Sequence, residues 1–460
     1  MDLSGHPESV GHPESVGHQA PAGPEESAGD VLDTRGHPRP HLARRLGLFD
    51  AVVLGLASMI GAGVFAAFPP AAGAAGTGLL IGLGVAAVVA YCNATSSAQL
   101  AAQYPTSGGT YVYGRERLGG WWGFVAGWGF VVGKTASCAA MAMTFAAYAA
   151  QVPWRRPVAL GAVIALAVVN YRGVTRTARL ARVLLGVVLV SLVMVLAASY
   201  LGGAADPGRL SGRSVPAVGW YGVLQSAGLL FFAFAGYARI ATLGEEVRDP
   251  RRTIPRAVVT ALALTVMIYS AVGTGVLLVL GPTRLAATTA PLVDVVRTVG
   301  WAWAVPVVRV GAAAAALGAL LALIAGVGRT TLAMARAGDL PGWLAEVHPR
   351  FEVPHRAEVA LAAVGVVLVL LVDLRGAIGF SSMGVLVYYL IANAAAFTQD
   401  SAWRRRPRFL QVLGGLGCVV LVVTLPVSAL LGGGIVFAVG AIGRGVRLHR
   451  ARIGRTGPRG

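Results

Sequence analysis

Charge is scarce in this sequence. Asp, Glu, Lys and Arg make up 13% of its 460 residues, against about 25% in soluble domains. So few charges could not cover the surface of a water-soluble protein of this length. That argues against a soluble enzyme and against a nucleic-acid-binding module. Cysteine is nearly absent: Cys92, Cys138 and Cys418 all lie in apolar stretches, so neither a disulfide framework nor a thiolate metal site is expected. No C-x-x-C, no H-E-x-x-H and no glycine-rich phosphate loop followed by Lys occurs, and no metal or cofactor is expected. Lysine is missing except for Lys134; the remaining 37 of the 38 basic residues are Arg. The apolar stretches hold no cluster of His, Asp or Glu that would suit an enzyme embedded in a membrane.

Apolar residues, by contrast, reach 56%, and the mean hydropathy is +0.68. They fall into blocks close to the ~20 residues that cross a bilayer as helix. The blocks run over 48–68, 76–98, 120–149, 157–171, 181–202, 220–243, 256–280, 304–329, 357–373, 376–398, 409–425 and 428–443. They predict an all-α polytopic membrane protein with about 12 transmembrane helices. The net charge of +18 then becomes a topology signal. With the N-terminus inside, most Arg falls in cytoplasmic loops and in the C-terminal tail, which predicts both termini in the cytoplasm. The pair Arg155–Arg156 dissents, and membrane lipids are expected partners of the basic loops. Residues 1–40 form a tail in which GHPESV occurs at 5–10 and again at 11–16. It reads as a disordered cytoplasmic segment.

Two blocks carry the signs of a binding site. The first contains Ser58-Met59-Ile60-Gly61-Ala62-Gly63-Val64-Phe65. Glycine inside a helix costs about 1 kcal/mol relative to Ala, and a break within a membrane is tolerated only where it lines a cavity or is buried in protein. The freed N–H groups of Ala62 and Gly63 can then hold an anion such as a carboxylate at the start of a half-helix. Close helix packing through small residues would also explain the glycines. The sixth block carries Phe231-Phe232-Ala233-Phe234-Ala235-Gly236-Tyr237. Alone it reads as an aromatic core stripe; paired with the first, it suits the interrupted helices of a transporter.

The segment ASMIGAGVF at 57–65 resembles the first-helix signature of the amino acid–polyamine–organocation (APC) superfamily of permeases. YPTSGGTYVYGRERLG at 104–119, FFAFAGYARIATLGEEVRDPRRTIPRAV at 231–258 and GRTTLAMARAGDLP at 328–341 are similar to further segments of that superfamily. The resemblance implies a five-plus-five inverted repeat with broken helices 1 and 6, plus two extra helices. The halves would be 46–202 and 220–398, followed by helices 11–12 at 409–443 and a basic tail at 444–460. It also implies a substrate site built from Met59, Gly61, Ala62, Gly63, Phe232, Ala233, Ala235 and Gly236. There Ala62 and Gly63 would offer N–H groups to a carboxylate, and the carbonyls of Met59, Phe232 and Ala235 would accept from an ammonium.

Lys134 lies midway through 120–149, where a charge is costly and faces a cavity or a partner. A lysine able to give up its proton suits proton coupling or contact with an anionic group; a structural lysine bonded to helix carbonyls is the alternative. Glu245, Glu246 and Arg252 read as an inner gate, since acids at a helix C-terminus need nearby cations. The expected function is secondary active, proton-coupled transport of an amino acid across the cytoplasmic membrane. An exchanger or exporter of amino acids, amines or polyamines is the alternative within transport, and a transporter-like sensor without flux is the alternative outside it.

Overall fold

The computed structural model describes residues 46–456 apart from 105–107, 174–177, 211–213 and 242–246. The tail at 1–40, and Glu245 and Glu246 of the expected inner gate, lie outside the described residues. The described chain is helical, with a lone parallel β-bridge between Leu46 and Val247. In order the helices are α1 (Leu48–Ile60), α2 (Gly63–Ala66), α3 (Phe68–Ala75), α4 (Leu79–Gln103), α5 (Thr110–Leu118), α6 (Gly120–Ala149), α7 (Arg155–Tyr171), α8 (Ala178–Leu201) and α9 (Ser214–Phe234). There follow α10 (Ala238–Ala241), α11 (Pro250–Ala287), α12 (Pro291–Thr298), α13 (Val305–Arg336), α14 (His355–Leu371), α15 (Leu374–Phe397), α16 (Arg408–Val423) and α17 (Val427–Thr456).

Among the described residues each apolar block of the sequence lies largely in helix. Among the described residues ten stretches are long and apolar enough to cross a membrane; α14 and α16, of 17 and 16 residues, are shorter. In hydrocarbon every backbone group must find its partner within the chain, and the helix provides this for uninterrupted apolar runs. Local chemistry sets the ends. Gly119 takes φ +101° to turn α5 into α6, a conformation an L side chain resists. The Asp373 carboxylate accepts from the Gly376 N–H at 2.9 Å and caps α15, satisfying one orphan donor of that helix start.

The element order repeats. After the interrupted pair α1–α2, the helices α4 to α8 have 25, 9, 30, 17 and 24 residues. After the interrupted pair α9–α10, α11 to α15 have 38, 8, 32, 17 and 24 residues.

Burial separates a centre from a rim. Over the most apolar 18 residues of each spanning stretch, Gly219–Ile240 is 78% buried and Gly120–Ala149 and Leu374–Phe397 are each 72% buried, whereas Val152–Tyr171 is 17% and Val427–Arg450 22%. The rim exposes large apolar side chains such as Val193, Leu371, Leu416 and Ile435, which suits lipid. The centre contains a buried polar ladder. Asn393 Nδ2 donates to Asn93 Oδ1 at 2.6 Å, Ser96 Oγ donates to Asn393 Oδ1 at 2.7 Å, and Asn93 Nδ2 reaches Cys418 Sγ at 3.3 Å. These bonds join α4, α15 and α16 as helix-to-helix fasteners.

The α6–α15 contact depends on missing side chains. A Cβ on Gly384 would stand 2.5 Å from the Gly129 carbonyl oxygen and 2.8 Å from Gly133 Cα. Overpacking of this kind costs about 1–3 kcal/mol per site. Gly384→Val is expected to lower the Tm of the purified protein by several degrees or abolish its folded yield in fluorescence-detected size exclusion. Gly434→Val, at a site with open space, is expected to behave as the parent protein.

Candidate substrate site

Both expected interruptions are present. α1 stops at Ile60, Gly61 adopts φ −18° and ψ −130°, and helix resumes at Gly63. α9 stops at Phe234, Ala235–Tyr237 form a 3₁₀ turn, and helix resumes at Ala238. The breaks meet face to face. A Cβ on Gly236 would overlap the Ser58 carbonyl and come within 2.6 Å of Met59 N, and one on Gly63 would lie 2.6 Å from Ala233 Cβ. Glycine at 63 and 236 is thus a requirement of backbone approach. Gly61 turns to α13 instead, where its Cβ would meet Ala319 Cβ at 2.9 Å. Ala62 packs in a cluster with Cys138 and Ala139 of α6 and Ala316 of α13. Phe232 is buried in the core cluster that also holds Met59, Ala233 and Ala235.

Carbonyls freed by the breaks are capped by side chains from neighbouring helices. The Tyr269 hydroxyl on α11 lies 2.6 Å from Met59 O and 3.1 Å from Ala233 O, so one group spans both breaks. Lys134 Nζ on α6 donates to Ala235 O at 3.3 Å, and the Tyr389 hydroxyl on α15 donates to the same oxygen at 3.3 Å. The Tyr148 hydroxyl donates to Phe65 O at 3.0 Å. Lys134 is 6% exposed, and its ammonium therefore sits at the second break, on a carbonyl the sequence had offered to substrate. Aromatic rings seal the surroundings: Tyr237 stacks on Tyr389 at 4.9 Å, Phe234 packs on Tyr269 at 5.2 Å, and Phe65 meets Tyr148 edge-on at 5.6 Å. A hollow of about 10 Å³ remains beside the first break, between Ala57, Ile60 and Gly61, Leu185 and Val188 of α8, and Ala315 of α13. That volume suits roughly one water.

The model of the family described as "Amino acid permease" matches residues 50–432, which take in both breaks and their capping residues. The chain belongs to the amino acid permease family. The permease is 60% identical over 418 residues to an uncharacterized transporter of Mycobacterium tuberculosis, covering 90% of this chain and 94% of that protein. It is 27% identical over 420 residues to the branched-chain amino acid permease BcaP of Bacillus subtilis, covering 84% and 88% of the two chains. It is also 29% identical over 382 residues to a methylthioribose transporter of the same organism, covering 78% and 79%. The chain is thus a transporter of this family, a multi-pass membrane protein with several membrane-length apolar helices.

At the end of the bundle where α1 begins, contacts chain the permease's loops together. Arg248 N donates to Leu46 O at 2.9 Å, and Arg182 pairs with Asp50 at 2.6 Å. Arg405 donates to Arg251 O at 2.7 Å, Arg251 lies over Trp403, and Arg117 pairs with Asp400 at 3.4 Å. Arg252 pairs with Asp249 at 3.8 Å, both side chains being exposed. The densest knot surrounds Asp339, just after α13. Its carboxylate accepts from the Tyr111 hydroxyl at 2.9 Å, Arg115 at 3.2 Å and Arg444 Nε at 2.8 Å, while Arg447 donates to its backbone carbonyl. Arg444 also lies over the rings of Trp121 and Phe124. Burial, with the Asp339 carboxylate adding to it, pushes the Tyr111 phenol up to about 12, so it remains a donor at physiological pH.

Sequence reasoning named the two breaks and Lys134 but missed Tyr269, Tyr148 and the Asp339 knot. Replacing Tyr269 with Phe removes the hydroxyl shared by Met59 O and Ala233 O and leaves buried carbonyls short of a donor. A loss of about 1–3 kcal/mol is expected for such a group, read as a lower Tm in detergent. Gly236→Ala is expected to abolish transport in proteoliposomes while the protein still inserts, because its methyl group would hold the breaks apart.

Proposed function

We propose that this permease carries a zwitterionic amino acid across the cytoplasmic membrane by proton-linked alternating access. The observation that carries this reading is the meeting of two helix interruptions, with Gly63 against Ala233 and Gly236 against Ser58. Such paired interruptions give a solute backbone N–H groups at one break and backbone carbonyls at the other. A carboxylate would sit against Ala62 and Gly63, and an amino group against the carbonyls of Met59, Phe232 and Ala235. Both ends of an amino acid are then held without an acidic or basic side chain, which favours a neutral substrate.

The similar lengths of α5–α8 and α12–α15 support the inverted repeat of 46–202 and 220–398, with α16 and α17 as the added pair and twelve crossings in all. The arginine distribution supports cytoplasmic termini. On that orientation the loops chained at the start of α1, together with Glu245, Glu246 and Arg252, form the inner gate. Rocking of one helix group would then open that side while the contact of Phe65 with Tyr148 closes the other. Lys134 is the coupling group, since it is the one lysine of the chain and bonds directly to the second break.

The purified protein in liposomes is expected to accumulate a labelled amino acid when a proton gradient is applied. A requirement for amino acid inside the vesicles would mark an exchanger. Ligand binding without flux across a broad amino acid panel would mark a sensor and overturn the proposal. Lys134→Ala is expected to flatten the pH dependence of flux; an unchanged profile would leave that residue structural.

A further inference from the structure

We propose that the Lys134 ammonium is an internal stand-in for the substrate's amino group, so that a substrate binds only by displacing it from the Ala235 carbonyl. The inference rests on the reading of the two breaks as the amino acid site. It starts from the side-chain donors at each carbonyl. Ala235 O receives two, Lys134 Nζ and the Tyr389 hydroxyl. The other bridged carbonyls are less fully supplied, because Met59 O and Ala233 O share the single hydroxyl proton of Tyr269. An arriving ammonium therefore finds acceptor capacity at Met59 and Ala233, and finds Ala235 already occupied by a group of its own chemistry and charge.

Two ammonium groups on one buried oxygen repel each other. No ion pair of Lys134 is present among the described residues. The titratable groups beside it are the Cys138 thiol on its own helix and the Tyr389 phenol on α15, against which Tyr237 of the second break stacks. With no carboxylate bonded to Lys134 to absorb a second positive charge, the lysine must swing away or give up its proton when a substrate amine enters. The site is then competent only for the fraction of time in which Lys134 has released Ala235 O, and apparent affinity falls by that fraction.

The arrangement also selects. A zwitterion replaces the displaced donor with its own amino group and leaves no carbonyl stranded. A carboxylic acid lacking the amine displaces nothing. A substrate with a second positive charge meets the expelled ammonium.

The test uses the purified full-length protein and each proteinogenic L-amino acid. Lys134→Met removes the competitor at nearly constant side-chain length, and the Tyr389 hydroxyl still donates to Ala235 O. The variant is expected to bind the best amino acid about tenfold more tightly than the parent by isothermal titration, the usual size of one charge-assisted hydrogen bond. A second readout needs no variant. Because the chain holds one lysine, protein labelled with ε-15N-lysine gives a single Nζ resonance. That resonance is expected to shift when the amino acid is added, and to stay in place when its keto-acid analogue is added. Equal or weaker binding by Lys134→Met, with an unmoved Nζ resonance while the parent binds amino acid, would overturn the inference and leave the site reading intact. If no amino acid binds either protein, although each unfolds in one sharp transition, the site reading falls and the inference falls with it.

Discussion

Backbone groups released from a helix inside a membrane have no water to turn to, and this constraint organises the molecule. At two places the chain gives up regular hydrogen bonding, at Gly61–Ala62 and at Ala235–Tyr237. An unpartnered buried carbonyl costs on the order of 1–3 kcal/mol, so neither interruption would persist alone. The structure answers by pressing the interruptions together and aiming hydroxyl and ammonium donors at them from three surrounding helices, α6, α11 and α15. The rest of the bundle holds those donors in position. Its small-residue crossing at Gly129, Gly133 and Gly384 lets α6 approach α15 closely, and the Asn93–Asn393 bond ties α15 to α4.

The same donors make the centre convertible. Hydroxyls and a single ammonium can rotate from protein oxygen to a solute without rebuilding the backbone. A ligand that brings its own donors and acceptors replaces those bonds one for one. On the proposed reading, small differences in supply, such as one Tyr269 proton for two carbonyls, would decide where a solute is received first.

Much of this was readable beforehand, and what was not has identifiable causes. The helices were legible because lipid demands apolar runs of nearly fixed length, and 120–149 matches α6 to the residue. The breaks were legible because glycine in mid-span stands out against a costly background. Tyr269 and Tyr148 were not: a lone hydroxyl in an apolar helix has no spacing pattern that distinguishes it from a core aromatic. The position of Lys134 along its helix was evident, but its direction was not, since any side of the helix would have suited the composition. The Asp339 knot was invisible because its partners Tyr111 and Arg444 stand 228 and 105 residues away, and nothing local to Asp339 announces them.

Asp339 gives the last helix a purpose beyond filling the rim. Over its most apolar 18 residues Val427–Arg450 is only 22% buried, and Trp128 Nε1 holds it to α6 through the Val436 carbonyl at 3.0 Å. Arg444 and Arg447 moor it to the segment that follows α13, and Arg115 moors α5 to the same carboxylate. A chain ending before Arg444 would leave that carboxylate without its most deeply buried guanidinium partner. The C-terminal end of α17 is therefore a keystone set late in synthesis: until the ribosome has delivered it, the knot between α5 and the end of α13 lacks its final counter-ion.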